Sequence, residues 1–219
     1  MKAFVAGATG ETGRRIVREL VDRDIPVRAL VRNLETAKQI LPPQVELVTG
    51  DVLRPQSLEG AIGDSTVVLC ATGAKPGPDP TAPYMVDCQG TKHLVDLAKA
   101  RGIDHFVLVS SMCVSQLFHP LNLFWLILVW KKQAEEYLRQ SGLTYTIVRP
   151  GGLRNADDNL PIVMAPADSL SDGRIPRQKV AQVCVEALFE PASRQKIVEV
   201  VARGDVPHQS LRDLFASVA

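Results

Sequence analysis

The chain has 219 residues, 46% of them apolar and 22% charged, with a formal net charge of +1. That length supports one α/β domain and excludes two of ordinary size, and the apolar fraction excludes a disordered chain. The near-neutral balance gives no electrostatic ground for binding nucleic acid. Cys70, Cys88, Cys113 and Cys184 form no C-x-x-C pair and do not cluster with the four histidines. Neither a metal site nor a disulfide framework is expected; buried thiols in a reducing compartment are. An apolar strand begins almost at Met1 with no signal peptide before it, which reads as a cytosolic, cytoplasmic protein.

Residues 3–6, AFVA, read as a buried strand that breaks into Gly7, Gly10 and Gly13, with a helical pattern starting inside the loop. This strand–loop–helix order is what a dinucleotide's pyrophosphate needs: a tight turn, close approach to the backbone, close helix–strand packing, and free N–H groups at the helix start. Gly7, Ala8, Thr9, Gly10, Glu11, Thr12 and Gly13 are therefore the first cofactor-binding candidates. The spacing is G-A-T-G-x-x-G, and it resembles the atypical and extended short-chain dehydrogenase/reductases, including the NmrA-like group and the flavin/biliverdin reductase type.

Residues 14–23 read as an amphipathic helix. Arg14 and Arg15 in its first turn oppose the helix dipole, so Arg14 is a candidate phosphate contact, with a solvated surface role as the competing reading. The second strand, 26–31, ends at Arg32-Asn33, where NAD-selective folds commonly carry a carboxylate. A guanidinium pairs with a 2′-phosphate, so NADP(H) is expected over NAD(H), with Arg32 and Asn33 as contacts and an ordinary strand-end cation as the alternative. A short helix at 34–41 stops at Pro42-Pro43, and a third strand covers 45–48. The resemblance implies that Asp51 and Val52 cap the adenine; a turn Asp is the competing reading. Residues 56–62 read as a crossover helix and 66–70 as the fourth strand. The small residues Ala71, Thr72 and Gly73 then let the backbone pass beside the cofactor. A proline-rich loop, 75–83, leads to a long helix, 84–101, from which Gln89 reaches toward the cofactor.

Residues 105–109 form the fifth strand, ending in Ser110-Ser111. The resemblance implies that one of these serines positions the substrate oxygen; capping the strand end is the alternative. The stretch 106–130 has no Asp, Glu, Lys or Arg, but its polar interruptions divide it into strand, loop and helix start rather than a membrane span. Phe118, Phe124 and Trp125, in the loop 118–125, are candidates for protein or peripheral membrane contact.

The helix 124–141 is where the resembled family carries Y-x-x-x-K. Its lysine falls on Lys131, with Lys132 as the fallback, and the proton-donating tyrosine falls on Ile127. Tyr84, Tyr137 and Tyr145 lack the required spacing. Lys131 also stands four residues before Glu135, so an i,i+4 ion pair is a compatible reading. A hydride acceptor that needs no phenol, a flavin or a quinone, is favoured, with Ser111 or water as a proton relay. The tract 128–153 resembles the NmrA-like subgroup of plant chloroplasts and cyanobacteria, including a translocon-associated dehydrogenase. That likeness implies that Pro150, Gly151, Gly152 and Leu153 meet the nicotinamide carboxamide. Relatives with a tail that docks ferredoxin–NADP reductase differ from this chain, which ends at Ala219, so that partnership is not expected.

Residues 154–219 are expected as a small C-terminal cap with strands at 161–165 and 196–201, helices at 179–189 and 209–218, and Arg177 near the substrate cleft or in a capping role. The expected whole is one Rossmann-type α/β domain, 1–219, with a doubly wound parallel sheet of six or seven strands. Its expected function is NADPH-dependent hydride transfer, with catalytic candidates Lys131, Ser110 and Ser111. A non-catalytic NADP(H) sensor or assembly factor is the alternative, and a nucleotide-sugar epimerase a poorer third.

Overall fold

A computed structural model describes residues 1–75 and 77–218; Pro76, in the expected proline-rich loop, and Ala219 lie outside the described residues. The elements in chain order are β1 (Ala3–Ala6), α1 (Glu11–Asp22), β2 (Val27–Val31), α2 (Leu34–Ile40), β3 (Glu46–Thr49), β4 (Val67–Cys70) and α3 (Gly90–Ala100). They continue with β5 (His105–Val109), α4 (Ile127–Gln140), β6 (Tyr145–Pro150), β7 (Gly152–Arg154), β8 (Ile162–Pro166), β9 (Arg174–Pro176), α5 (Arg177–Glu186), β10 (Lys196–Ala202) and α6 (Leu211–Ser217).

One ten-stranded sheet runs β3-β2-β1-β4-β5-β6-β10-β9-β7, with β8 also paired to β10. The first seven strands in that order are mutually parallel. This is the Rossmann order, in which the winding direction reverses between β1 and β4. The strands are apolar on both faces, as a parallel sheet covered by helices requires. Ala3 and Val5 pack into the core under α1, α2, α5 and α6, whereas Phe4 and Ala6 pack with residues of α3 and α4. The C-terminal cap adds β7, β8 and β9, with β8 antiparallel to β10.

Three local expectations change. The crossover helix expected at 56–62 is only a 3-10 turn, Pro55–Leu58, because Gly60 and Gly63, both at positive φ, end it. The long helix before β5 opens as a π-helical stretch, Pro83–Gln89. The helix expected from 124 begins at Ile127, because Trp125 and Leu126 sit at φ 54° and 59°, a left-handed conformation no helix continues through. A 3-10 turn, Pro120–Leu123, precedes them.

His105 illustrates how polar groups enter this core. It is buried, with Nε2 2.9 Å from Thr146 Oγ1. The Thr146 hydroxyl donates to Ser193, so His105 is the donor. Burial, with a smaller contribution from Arg194, lowers its pKa from 6.5 to about 4. The folded value lies below the unfolded one, so the neutral ring's stabilisation is complete above pH 6.5 and is lost as pH falls toward 4. The loss amounts to up to about 3 kcal/mol. Urea titrations at pH 7, 5 and 4 should show it, and His105→Asn should flatten the slope; an unchanged slope in that variant refutes the assignment.

Candidate functional site

The glycine loop leaves β1 and folds back against the turn after β4. Gly7 takes φ +78°, and a Cβ there would stand 2.5 Å from the Ala71 carbonyl oxygen. A Cβ on Gly13 would stand 2.0 Å from the Gly7 carbonyl oxygen, so α1 approaches the loop as only glycine allows. The Gly10 N–H bonds Gly7 O, and the first α1 hydrogen bond runs from Arg14 N to Gly10 O. The amides between them lie at the helix start, where an anion's charge is favoured.

A cleft of about 380 Å³ opens beside this loop at the switch point between β1 and β4. It brings together Gly7, Thr9, Gly10, Arg32, Asp51, Val52, Ala71, Thr72 and Gly73 from the sequence-derived set. Gly50, from the same segment as Asp51 and Val52, also lines it; Leu30, Val31, Leu53, Ala74, Lys75, Ala82 and Val86 line it too and were not foreseen. The walls fit an extended dinucleotide: a glycine cradle that a Cβ would fill at one end, and the exposed Arg32 at the rim.

Other candidates are engaged elsewhere. Ala8, Glu11, Thr12 and Gly13 are not among the residues that line the cleft. The Asn33 side chain caps α2, accepting from Thr36 N at 2.9 Å. Asp51 accepts from Leu53 N, an Asx turn. Arg14 and Arg15 both pair with Glu11, at 2.8 and 2.9 Å, and the Arg15 hydrogen bond holds the Glu11 carboxyl below its usual range. Gln89 donates to Tyr84 Oη at 2.7 Å. Gly151 N and Gly152 N bond Val200 O and Gly173 O, and Pro150 O accepts from Met112 N, so the 150–153 backbone is tied to the β5 end and the cap. Leu153 is exposed.

Adjoining the cleft at Thr72 is a cavity of about 10 Å³, room for one water-sized group, lined by Thr72, Asp87, Thr91, Ser110 and Lys131 with the apolar Leu108, Val109 and Ala134. Thr72 borders both spaces. Lys131 does not pair with Glu135. Its ammonium lies 2.7 Å from Asp87 Oδ1, whose side chain is fully buried in the π-helical stretch. Asp87 Oδ2 accepts from Ala74 N at 2.9 Å, joining the lysine to the cleft wall. Lys132 makes the i,i+4 contact instead, 3.7 Å from Glu136. Ser111 is half-buried beside Ser110. Ile127 packs beside Met112, Cys113 and Leu128, and supplies no proton.

Glu135 has another use. Ser110 Oγ donates to its Oε1 at 2.5 Å, and Arg149 grips it bidentately, Nε to Oε1 at 3.0 Å and Nη2 to Oε2 at 2.6 Å. Arg149 Nη1 also reaches Asp168 at 2.9 Å and lies 3.6 Å from Glu199. Burial pushes the Arg149 guanidinium down, but its bond to Glu135 and the three carboxylates outweigh this and hold it above its ordinary value. Sequence reading missed this cluster. The available signal was a lone arginine inside the apolar run TIVRP, which a buried strand cannot hold without carboxylate partners.

A parallel sheet with a glycine-cradled cleft at its switch point defines a Rossmann-type dinucleotide-binding protein. A family profile described as "NAD(P)H-binding" matches residues 7–191. The chain therefore belongs to the NAD(P)H-binding family, as an atypical short-chain dehydrogenase/reductase of the chloroplast type. It is 49% identical to an uncharacterised chloroplastic protein of Arabidopsis thaliana, over 99% of this chain and 82% of that one. It is 36% identical to Protein TIC 62, chloroplastic, of the same plant, over 98% of this chain but 38% of that protein. It is 30% identical to sanguinarine reductase of Eschscholzia californica, over 99% of this chain and 94% of that one. Among solved structures, a putative NAD-dependent epimerase/dehydratase from Bacillus halodurans superimposes with a TM-score of 0.88 at 26% identity, covering 99% of each chain.

These relatives overturn the cytosolic expectation. Those matching nearly all of this chain include proteins described as chloroplastic, which points to a chloroplast rather than the cytoplasm. Among the described residues no helix is long and apolar enough to cross a membrane.

Proposed function

We propose that this protein is an NADPH-dependent oxidoreductase that passes hydride to a flavin- or quinone-like acceptor without a dedicated phenol. The observation carrying this reading is Lys131, locked to buried Asp87 beside Ser110 and joined through Thr72 to the dinucleotide cleft. When bound, the nicotinamide supplies the hydride. Lys131 holds its charge at the cofactor's reactive end, and Ser110 and Ser111 border the acceptor. Ile127 leaves the acid position apolar, which suits an acceptor that draws its proton from water. A relative described as a reductase supports the class of reaction. A chloroplast location follows the same comparisons.

Arg32 carries the choice of NADPH. It is exposed at the end of β2 and borders the cleft where a 2′-phosphate would sit. Calorimetry should give tighter binding of NADPH than NADH, and Arg32→Ala should weaken NADPH about tenfold, the value of one charge-assisted contact, while leaving NADH within about twofold. Equal affinities in the wild type would remove the NADP preference. Steady NADPH oxidation with FMN or a short-chain quinone should accompany binding; silence across both classes counts against catalysis.

A second reading, an NADP(H)-responsive assembly factor, is favoured by the apolar surface at 117–126. Phe118 is 97% exposed and Leu123 85%, beside Phe124 and Trp125. Such a face suits a protein partner or a membrane surface. Equal partner affinity in the NADP⁺ and NADPH states would remove the sensor version.

A further inference from the structure

We infer that Glu135 is a specificity-determining positioning residue: it takes the hydroxyl proton of Ser110, so the small cavity accepts a ligand O–H or N–H group rather than a bare carbonyl. The oxidoreductase reading enters only in making that ligand the hydride acceptor or its reduced form.

The hydrogen-bond inventory carries the inference. A serine hydroxyl has one proton. That of Ser110 points at Glu135 Oε1 across 2.5 Å, within the range of a charge-assisted O–H···O⁻ bond. The carboxylate cannot turn away. Arg149 fixes both of its oxygens, and both side chains are fully buried. What Ser110 offers the cavity is therefore a lone pair. Across the same space stands the Lys131 ammonium, 2.7 Å from Asp87 Oδ1, which has N–H donors to offer. A hydroxyl placed between them accepts from Lys131 and donates to Ser110. A carbonyl accepts from Lys131 but sets its lone pairs against those of Ser110, in a cavity whose room for one water-sized group the carbonyl oxygen itself takes up. Ser110 thus positions a substrate oxygen by accepting from it rather than donating to it, and a quinol fits this cavity better than the corresponding quinone.

The test is calorimetric titration of NADP⁺-saturated protein, which holds no hydride to transfer, with trimethylhydroquinone and with trimethylbenzoquinone. The hydroquinone should bind about fivefold more tightly, the value of one net hydrogen bond. Ser110→Ala and Glu135→Gln should each bring the ratio to within about twofold. Glu135→Asp keeps a carboxylate for Arg149 but withdraws it from Ser110, and should do the same if Glu135→Gln does not fold. Equal binding in the wild type, binding of neither probe, or a preference that survives the Glu135 variants overturns the inference. So does a loss of NADP⁺ affinity above about fivefold in Ser110→Ala, which would assign the hydroxyl to the cofactor's ribose. NADPH oxidation measured alongside separates the two readings. Absent turnover with an intact preference removes the oxidoreductase and leaves the role of Glu135 standing.

Discussion

Arg149→Met should cost the protein about 3–5 kcal/mol, the usual consequence of removing one partner from a buried ionic cluster. Arg149 is the largest fully buried side chain, and Glu135 and Glu199 around it are also inaccessible to solvent. Methionine fills a similar volume but donates nothing. Glu135 would lose both guanidinium bonds and keep Ser110; Glu199 would keep the amides of Ser169 and Leu170, at 3.1 and 2.8 Å, but lose Arg149, the one cation within 4 Å of it among the described residues. Two fully buried carboxylates would then be left without the guanidinium that lies between them. Arg149→Lys keeps the charge without the planar fork and should cost less than Met. Urea denaturation checks this: the midpoint should fall with the slope unchanged, since the same surface is exposed on unfolding. A loss below about 1 kcal/mol in Arg149→Met would mean that the carboxylates find other donors, and the cluster would lose its standing as the support of Ser110.

The parts of this protein legible in sequence are those set by local chemistry. Gly7 and Gly13 announce the cradle because close approach of backbone to backbone permits nothing else there. Arg32 is legible because it stands at a fixed distance beyond the loop, at a strand end. The apolar runs of β1, β4, β5 and β6 mark a sheet covered on both faces. The short strands β7 and β9 were not legible. Each has three residues; β7 pairs with β9, and β9 in turn pairs with β10. Pairings across long separations were equally hidden. Lys131 has Glu135 one turn along its own helix, and helical spacing favours that pair. Three-dimensional packing instead presents Asp87, 44 residues earlier in the chain, and leaves Glu135 for Ser110 and Arg149. The start of α4 was misplaced for a related reason. Trp125 and Leu126 carry an apolar helical pattern, yet the chain must turn over the cleft-side loop, where Trp125 Nε1 donates to Gly77 O at 3.4 Å. The turn forces a conformation that propensity disfavours.

Gly13→Ala should reduce NADPH affinity about a hundredfold, the scale of effect expected when a binding constellation shifts by about an ångström. The added Cβ meets the Gly7 carbonyl oxygen at 2.0 Å and its carbon at 2.7 Å, both backbone atoms with no rotamer to change. Relief by moving Gly7 is closed, because that residue lies against Ala71, where its own Cβ would stand 2.5 Å from the carbonyl oxygen. Relief must come from α1, whose same buried face holds Ile16, Val17 and Leu20 in the core. Tilting the helix therefore strains that packing, at about 1–3 kcal/mol, and swings the amides that would meet the pyrophosphate. Gly10→Ala is the matched control. Its Cβ would stand 3.2 Å from the same oxygen, a contact that a few tenths of an ångström relieves, so it should weaken binding about tenfold or less. Calorimetry with NADPH, paired with thermal denaturation, separates the two costs. If Gly13→Ala binds NADPH within about threefold of wild type while losing stability, the close approach serves helix packing alone and the phosphate is held from the Ala71–Gly73 side of the cleft. If affinity and stability fall together, and more steeply for Gly13 than for Gly10, the glycine cradle positions the cofactor through the helix that it lets in.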